Sequence, residues 1–214
     1  MKNGFKYLTL ALLAFAGIGL EVVLAYGIEP PIYGGEIGTW NTTQHIIHWI
    51  LTCICWGLSA WGITKWSKEK GEFDIFKKGE KIAIWQWILI AVIIVLSLVI
   101  SYIDWNGFKV VKEFNANGPL KFVFQYIYYC FEVALVTLIL VYGQKAFEEW
   151  FHNRYIPYGG IIVALTWGIG HFFTKDFKTG IVTIISGLCY GSVYLLTNRD
   201  IKKSYVILWL MFVL

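Results

Sequence analysis

Residues 82–104, IAIWQWILIAVIIVLSLVISYID, decide the fold of this chain. The stretch carries one charged side chain, Asp104, which is its last residue. A helix needs about 20 predominantly apolar residues to cross the hydrocarbon core of a bilayer. The stretch therefore predicts a membrane-spanning helix, and it sets the standard against which the rest of the chain is compared.

The composition extends this expectation to all 214 residues. Hydrophobic residues make up 57% of the chain and charged residues 15%, whereas a soluble domain carries about 25% charge. Aromatic residues, which are included in the hydrophobic fraction, make up 18% of the chain, and Trp and Tyr favour the interfaces of a bilayer. The composition excludes a soluble enzyme, and the basic balance is explained by loop lysines, so we expect a lipid bilayer as partner and no nucleic acid.

Six apolar runs are long enough, or nearly so, to span a membrane. They are residues 6–26, 43–64, 82–104, 120–144, 158–174 and 179–196. A seventh run, 203–214, covers less than about 20 Å as a helix. We expect an all-α polytopic transmembrane bundle of six or seven spans, with residues 1–214 as a single integral membrane domain. The first run resembles a signal peptide, but its length predicts a retained span.

The positive charges fall mostly on one side of this topology. The N-terminus and the segments around 65–81, 145–154 and 197–203 hold thirteen of the 18 Lys and Arg residues. Because cytoplasmic loops carry the excess of Lys and Arg, we expect a multi-pass cell-membrane protein with a cytoplasmic N-terminus. The four cysteines lie inside apolar runs, which predicts buried thiols and no disulfides.

Glu148 and Glu149 are adjacent acidic residues in the stretch AFEEWFHNR, residues 146–154. The topology predicts that they lie in the inner loop between the fourth and fifth spans. Charge clusters in loops are usually solvated. We therefore interpret them as a loop face with Lys145 and Arg154 nearby.

Glu132 and His171 are ionisable residues within predicted spans, where such groups are costly and mark functional sites. Each lies about 20 Å along its helix from the short loop that joins the fourth and fifth spans. The two side chains are therefore expected to face each other at one level. Glu132 shares one helical stripe with three polar residues at i, i+3, i+4 and i+7 spacing: Gln125, Tyr128 and Tyr129. Trp167 shares a face with His171.

Glycines in the last third of the chain predict close helix packing. Gly187 and Gly191 form a G-x-x-x-G pattern in the sixth span, and Gly159 and Gly160 begin the fifth. Small residues at these spacings let helix backbones approach each other in a membrane.

Residues 120–214 resemble the core of the CAAX-protease and bacteriocin-processing (CPBP, or Abi) family of intramembrane proteases. That family carries the motifs E-E-x-x-x-R, F-x-x-x-H and H-x-x-x-N/D. The text CFEVALVT around Glu132 takes the place of the first motif and WGIGH, ending at His171, that of the second. The separation of 39 positions from Glu132 to His171 matches the family spacing, whereas the interval from Glu148 is too short. The resemblance implies a CPBP-like core.

The match is degenerate at four positions. Val133 and Thr137 replace the second Glu and the Arg of the first motif, and Trp209 and Val213 stand at the places of the last His and Asn. The resemblance implies that Glu132 activates a water molecule that His171 helps to hold. The missing oxyanion donors have possible substitutes in the outer half of the bundle: Tyr128, Tyr129, Tyr190, Tyr194, Glu21, His45 and His48.

Three functions stay open at this point. One is a membrane-embedded hydrolase acting on a peptide or lipidated protein, with Glu132 and His171 catalytic. The second is a non-catalytic scaffold or immunity partner of another membrane protein, and the third a lipid or lipoprotein acyltransferase using the same pair. We expect substrate contacts from Tyr128, Tyr129, Trp167, Tyr190 and His48. No cofactor is expected, with a Zn²⁺ ion on the outer His and Glu side chains as the alternative.

Overall fold

Long apolar segments fold as helices because a helix satisfies every backbone N–H and C=O group internally, where lipid offers no hydrogen bonds. The computed structural model describes residues 2–71 and 73–214, and these contain helices and no strand. The helices are α1 (Lys2–Val23), α2 (Glu29–Tyr33), α3 (Thr42–Gly71), α4 (Ile84–Trp105), α5 (Lys109–Phe151), α6 (Tyr158–Val163), α7 (Ile169–Thr174), α8 (Phe177–Leu196) and α9 (Ile201–Val213). Two π-helical turns, Leu24–Ile28 and Ala164–Gly168, join α1 to α2 and α6 to α7.

The prediction of an all-α membrane bundle is confirmed. Five helical segments are long and apolar enough to cross a membrane: Gly4–Tyr33, Thr42–Lys70, Ile84–Trp105, Lys109–Phe151 and Phe177–Leu196. The predicted fifth span is a shorter apolar helix, Tyr158–Thr174, and the short seventh run is α9. Helix α4 leaves apolar side chains such as Ile103 (66% exposed) uncovered by protein, which suits a surface that faces lipid.

Helix α5 differs from the predicted span because it begins at Lys109 instead of residue 120. Gly118 interrupts it with φ 67° and ψ 170°, a conformation that is essentially restricted to glycine. The arm before this break folds back on the arm after it, since Asn117 Nδ2 donates to Gln125 Oε1 over 2.7 Å. Residues 109–117 were expected to connect two spans. The break at Gly118 instead places them beside the later part of α5.

The loop prediction for Glu148 and Glu149 is wrong, because α5 continues to Phe151. Glu148 is only 13% exposed, and its Oε1 accepts hydrogen bonds from Arg199 Nε (3.0 Å) and a terminal guanidinium nitrogen of Arg199 (2.7 Å). Glu149 instead pairs with Lys145 one turn earlier, at 2.6 Å. Glu148 therefore ties the end of α5 to the turn between α8 and α9.

The predicted close packing of the glycines is confirmed. A Cβ atom built on Gly160 would lie 2.7 Å from the carbonyl oxygen of Gly187 and 2.8 Å from the Cα of Gly191. Helices α6 and α8 therefore meet backbone to backbone. One apolar cluster of buried side chains runs from Tyr7 in α1 to Met211 in α9. The four cysteines are free thiols, but only Cys53 is buried as expected, and the other three are half-buried.

Candidate functional site in a cavity of the bundle

A cavity of about 970 Å³ opens in the half of the bundle where α1 ends and α3 begins. Polar side chains reach it from α1, α3, both arms of α5, the segment Tyr158–Thr174 and α8. The sequence predicted that five acidic and histidine side chains gather at this level. All five line the cavity: Glu21, His45, His48, Glu132 and His171.

Glu132 lies in the middle of α5 and is 8% exposed. Its Oε1 accepts a hydrogen bond from Trp167 Nε1 at 3.0 Å. Trp167 therefore binds the carboxylate. In the family that the sequence resembles, the F-x-x-x-H motif carries Phe at this position. A buried carboxylate held by one indole N–H keeps unused acceptor capacity for a ligand or water.

His171 is positioned by the same tryptophan. Its Nδ1 lies 2.7 Å from the backbone carbonyl oxygen of Trp167, and the two rings meet edge to face with centroids 4.6 Å apart. A carbonyl oxygen only accepts, so Nδ1 carries the hydrogen and Nε2 of the neutral ring holds a lone pair. Glu132 and His171 share the cavity as predicted, but Trp167 connects them where direct facing was expected.

Glu113 is a site residue that the sequence analysis missed. It comes from the folded-back arm of α5 and is 3% exposed. Its Oε1 accepts from Tyr129 at 2.6 Å and from Gln125 at 3.3 Å, and its Oε2 accepts from Tyr126 at 2.9 Å. Only the break at Gly118 brings Glu113 to the predicted polar stripe, and the Gly-Pro pair at 118–119 is the signal that could have indicated it.

Lys109 is the second residue that was missed. Its Nζ donates to the carbonyl oxygen of Phe212 at 2.6 Å and lies 4.9 Å from the ring centroid of Tyr129. It interacts electrostatically with Glu113 and Glu132. The cavity therefore contains a basic side chain among its acidic ones.

A second polar group lies between α1, α2 and α3. Tyr128 donates to Glu21 Oε1 at 2.7 Å. His48 is 1% exposed, and its Nδ1 lies 2.5 Å from Oε2 of the equally buried Glu29. Glu29 was also missed, because its place after the first predicted span resembles an exposed loop; the turn Leu24–Ile28 directs it inwards.

The remaining predicted residues divide between the cavity and its surroundings. Tyr129 and Tyr190 line it together with Trp167, whereas Tyr194 lies outside the lining. Trp209 and Val213, which the sequence analysis predicted at the places of the last motif, also lie outside it, and Phe212 faces the cavity from α9. Neither Trp209 nor Val213 can therefore donate to an oxyanion in the cavity, and any such donor must be another residue.

The rim of the cavity carries Lys175 and Asp176. Asp176 caps α8, since its Oδ1 accepts from the backbone N–H of Thr179 at 2.9 Å. That N–H and the Thr179 hydroxyl hold the pKa of Asp176 below its ordinary value. The rim aspartate is therefore charged at neutral pH.

Among the described residues, no group of three or more His, Cys, Asp or Glu side chains is arranged to hold a metal ion. Compared with models of known protein families, with curated proteins and with solved structures, the chain matches none of them.

Proposed function

We propose that this protein is a membrane-embedded hydrolase of the CPBP type that cleaves a peptide or lipidated protein within the bilayer. One observation carries the proposal: Glu132 and His171, from separate helices, line one cavity and are joined through Trp167. A single tryptophan thus fixes both the carboxylate and the imidazole. Such fixing is what a general base and its partner need in order to act on one bound water.

In this proposal Glu132 removes a proton from a water molecule, and Nε2 of His171 accepts a hydrogen bond from the water or substrate. The Trp167 indole keeps the Glu132 carboxylate turned toward the cavity. The water oxygen attacks the carbonyl carbon of the scissile bond. Tyr190 is buried and lines the cavity, and in this proposal its hydroxyl stabilises the developing oxyanion.

A non-catalytic, partner-binding role is the second candidate, and a specific observation favours it. Thr137 stands where the resembling motif carries Arg, and its hydroxyl donates to the carbonyl oxygen of Val133 at 2.7 Å. Both residues are 1% exposed. Val133 and Thr137, which occupy two positions of the motif, are thus packed inside the protein. Neither offers a free polar group to a substrate.

The test compares wild-type protein with Glu132→Gln and His171→Ala at matched expression. New protein N-termini and the acylation state of lipoproteins are read by mass spectrometry. Glu149→Gln and His152→Asn are matched controls, since Glu149 pairs with Lys145 on the outside of α5 and His152 is exposed. Asn also tolerates the φ of 53° that His152 adopts.

We expect one class of cleaved product to disappear in both site variants and to persist in both controls. If an acylated product disappears instead, the same pair activates a nucleophile other than water, as an acyltransferase would. Unchanged products from variants that insert and fold normally would reject catalysis and leave the partner-binding role.

A further inference from the structure

We propose that His48 holds a proton on Nε2 that can pass to Glu21, and that these two groups, with this shared proton, form a second acid–base pair of the cavity, with Glu29 as the positioning residue. The use of this pair in hydrolysis rests on the proposed function. The shared proton itself rests only on the geometry. The group lies on α1, α2 and α3, outside the part of the chain that resembles the CPBP core.

Glu29 fixes the ring of His48. The contact between His48 Nδ1 and Glu29 Oε2 measures 2.5 Å, and Tyr33 donates to the other carboxylate oxygen at 3.3 Å. Trp40 covers the ring edge to face at 5.4 Å. Because the carboxylate only accepts, Nδ1 carries a hydrogen, and the second nitrogen, Nε2, is left for the cavity side.

His48 Nε2 is buried and makes no hydrogen bond. The nearest acidic atom is Glu21 Oε1, at 3.7 Å, which is ion-pair range and slightly too long for a hydrogen bond. Without a proton between them, a nitrogen lone pair would face a carboxylate oxygen, and a neutral ring would lie between the buried Glu29 and the partly exposed Glu21. A proton on Nε2 removes both penalties. We therefore place the resting proton on Nε2, directed at Glu21.

Glu21 connects this proton to the cavity. Its side chain is 30% exposed, so it is reachable from the cavity, and its Oε1 also accepts from Tyr128 at 2.7 Å. Glu21 interacts electrostatically with Glu132. His45, one turn before His48, interacts electrostatically with the His48 ring and with Lys121. The proton of His48 can therefore move to Glu21 and from there to a bound ligand.

Hydrolysis of an amide needs such a donor. When water attacks the carbonyl carbon, Glu132 takes one proton from that water. The C–N bond then breaks, and the leaving nitrogen takes a proton from the Glu21–His48 pair. The proton on Glu132 afterwards returns to the pair through cavity water, which restores both groups. Glu132 and His48 thus supply the base and the acid of one reaction.

Nitrogen NMR of ¹⁵N-histidine-labelled protein tests the shared proton without any substrate. The chain has four histidines. The His48 signals are assigned as those that are present in each of the three single variants His45→Gln, His152→Asn and His171→Gln. We expect both ring nitrogens of His48 to be protonated at neutral pH. In Glu21→Gln, which leaves His48 and Glu29 in place, the Nε2 proton should be lost.

Glu36→Gln is the matched control, because it removes the same charge from the exposed segment before α3. It should leave the His48 signals unchanged. An unprotonated Nε2 in wild-type protein would overturn the proposal. So would an Nε2 signal that is the same in Glu21→Gln as in wild type.

A pair of chromogenic probes separates this proposal from the proposed function. Octanoyl p-nitroanilide needs a proton on its leaving nitrogen, whereas p-nitrophenyl octanoate releases a stable phenolate. We expect Glu132→Gln to lose both hydrolyses and Glu21→Gln to lose only the anilide. Equal loss of both in Glu21→Gln would reject the acid role. If wild-type protein hydrolyses neither probe, hydrolysis of these probes is rejected. The NMR experiment then still decides whether His48 Nε2 carries the proton.

Discussion

Gly160→Ala should push apart α6 and α8, the two helices that meet at this glycine. The added methyl group would lie 2.7 Å from the Gly187 carbonyl oxygen and 2.8 Å from the Gly191 Cα, and both atoms belong to backbone. Ordinary contact begins near 3.4 Å, so relief of the 2.7 Å contact requires α6 and α8 to move apart by about 0.7 Å. Overpacking of this kind costs about 1–3 kcal/mol.

Gly170→Ala is the matched control for this prediction. It makes the same substitution in the segment Tyr158–Thr174, and a Cβ atom there would meet nothing within 4 Å. Its effect should stay within about 0.5 kcal/mol of zero. The free energy of unfolding is measured by SDS titration of the purified protein. Equal stabilities of the two variants would refute the argument that α6 and α8 meet backbone to backbone.

Three other changes test the fold. Gly118→Ala should cost about 1–3 kcal/mol in the same titration, because its φ of 67° with ψ 170° is strained for alanine. Arg199→Lys should cost about 1 kcal/mol, since lysine cannot reproduce the two guanidinium contacts to Glu148. Burial disfavours the charge of Asp200, but the backbone N–H and ammonium of Lys203 outweigh it and hold its pKa below the ordinary value. The stability advantage of wild type over Asp200→Asn should therefore be full above about pH 3.9 and be lost as the pH falls through the lower folded-state pKa.

The spans could be predicted because a membrane imposes one strong requirement on sequence. Runs such as 82–104 must be apolar over the full thickness of the bilayer, and each of the predicted runs coincides with a helical segment. The ends of the helices were less predictable. Helix α5 extends through Glu148, where the carboxylate pairs with Arg199, a residue distant in sequence.

The site was predictable where it depends on regular helix periodicity. The stripe of Tyr128, Tyr129 and Glu132 follows from the 3.6-residue repeat, and the structure places all three at the cavity. Glu113 and Glu29 could not be placed in this way. Each reaches the interior through an irregular backbone conformation, and hydropathy alone counts both as residues of connecting segments.

Three irregular points in the described helices, two π-helical turns and the break at Gly118, have one feature in common. Each directs a polar side chain into the polar interior of the same half of the bundle. The turn Leu24–Ile28 turns Glu29 toward His48, the break at Gly118 returns Glu113, and the turn Ala164–Gly168 contains Trp167, which binds Glu132. Regular helices would be at least as easy to form in lipid. Irregular helix geometry costs stability and is concentrated at functional sites. That cost, repeated on three separate segments around one cavity, argues that the cavity has a function of its own and is more than a gap in the packing.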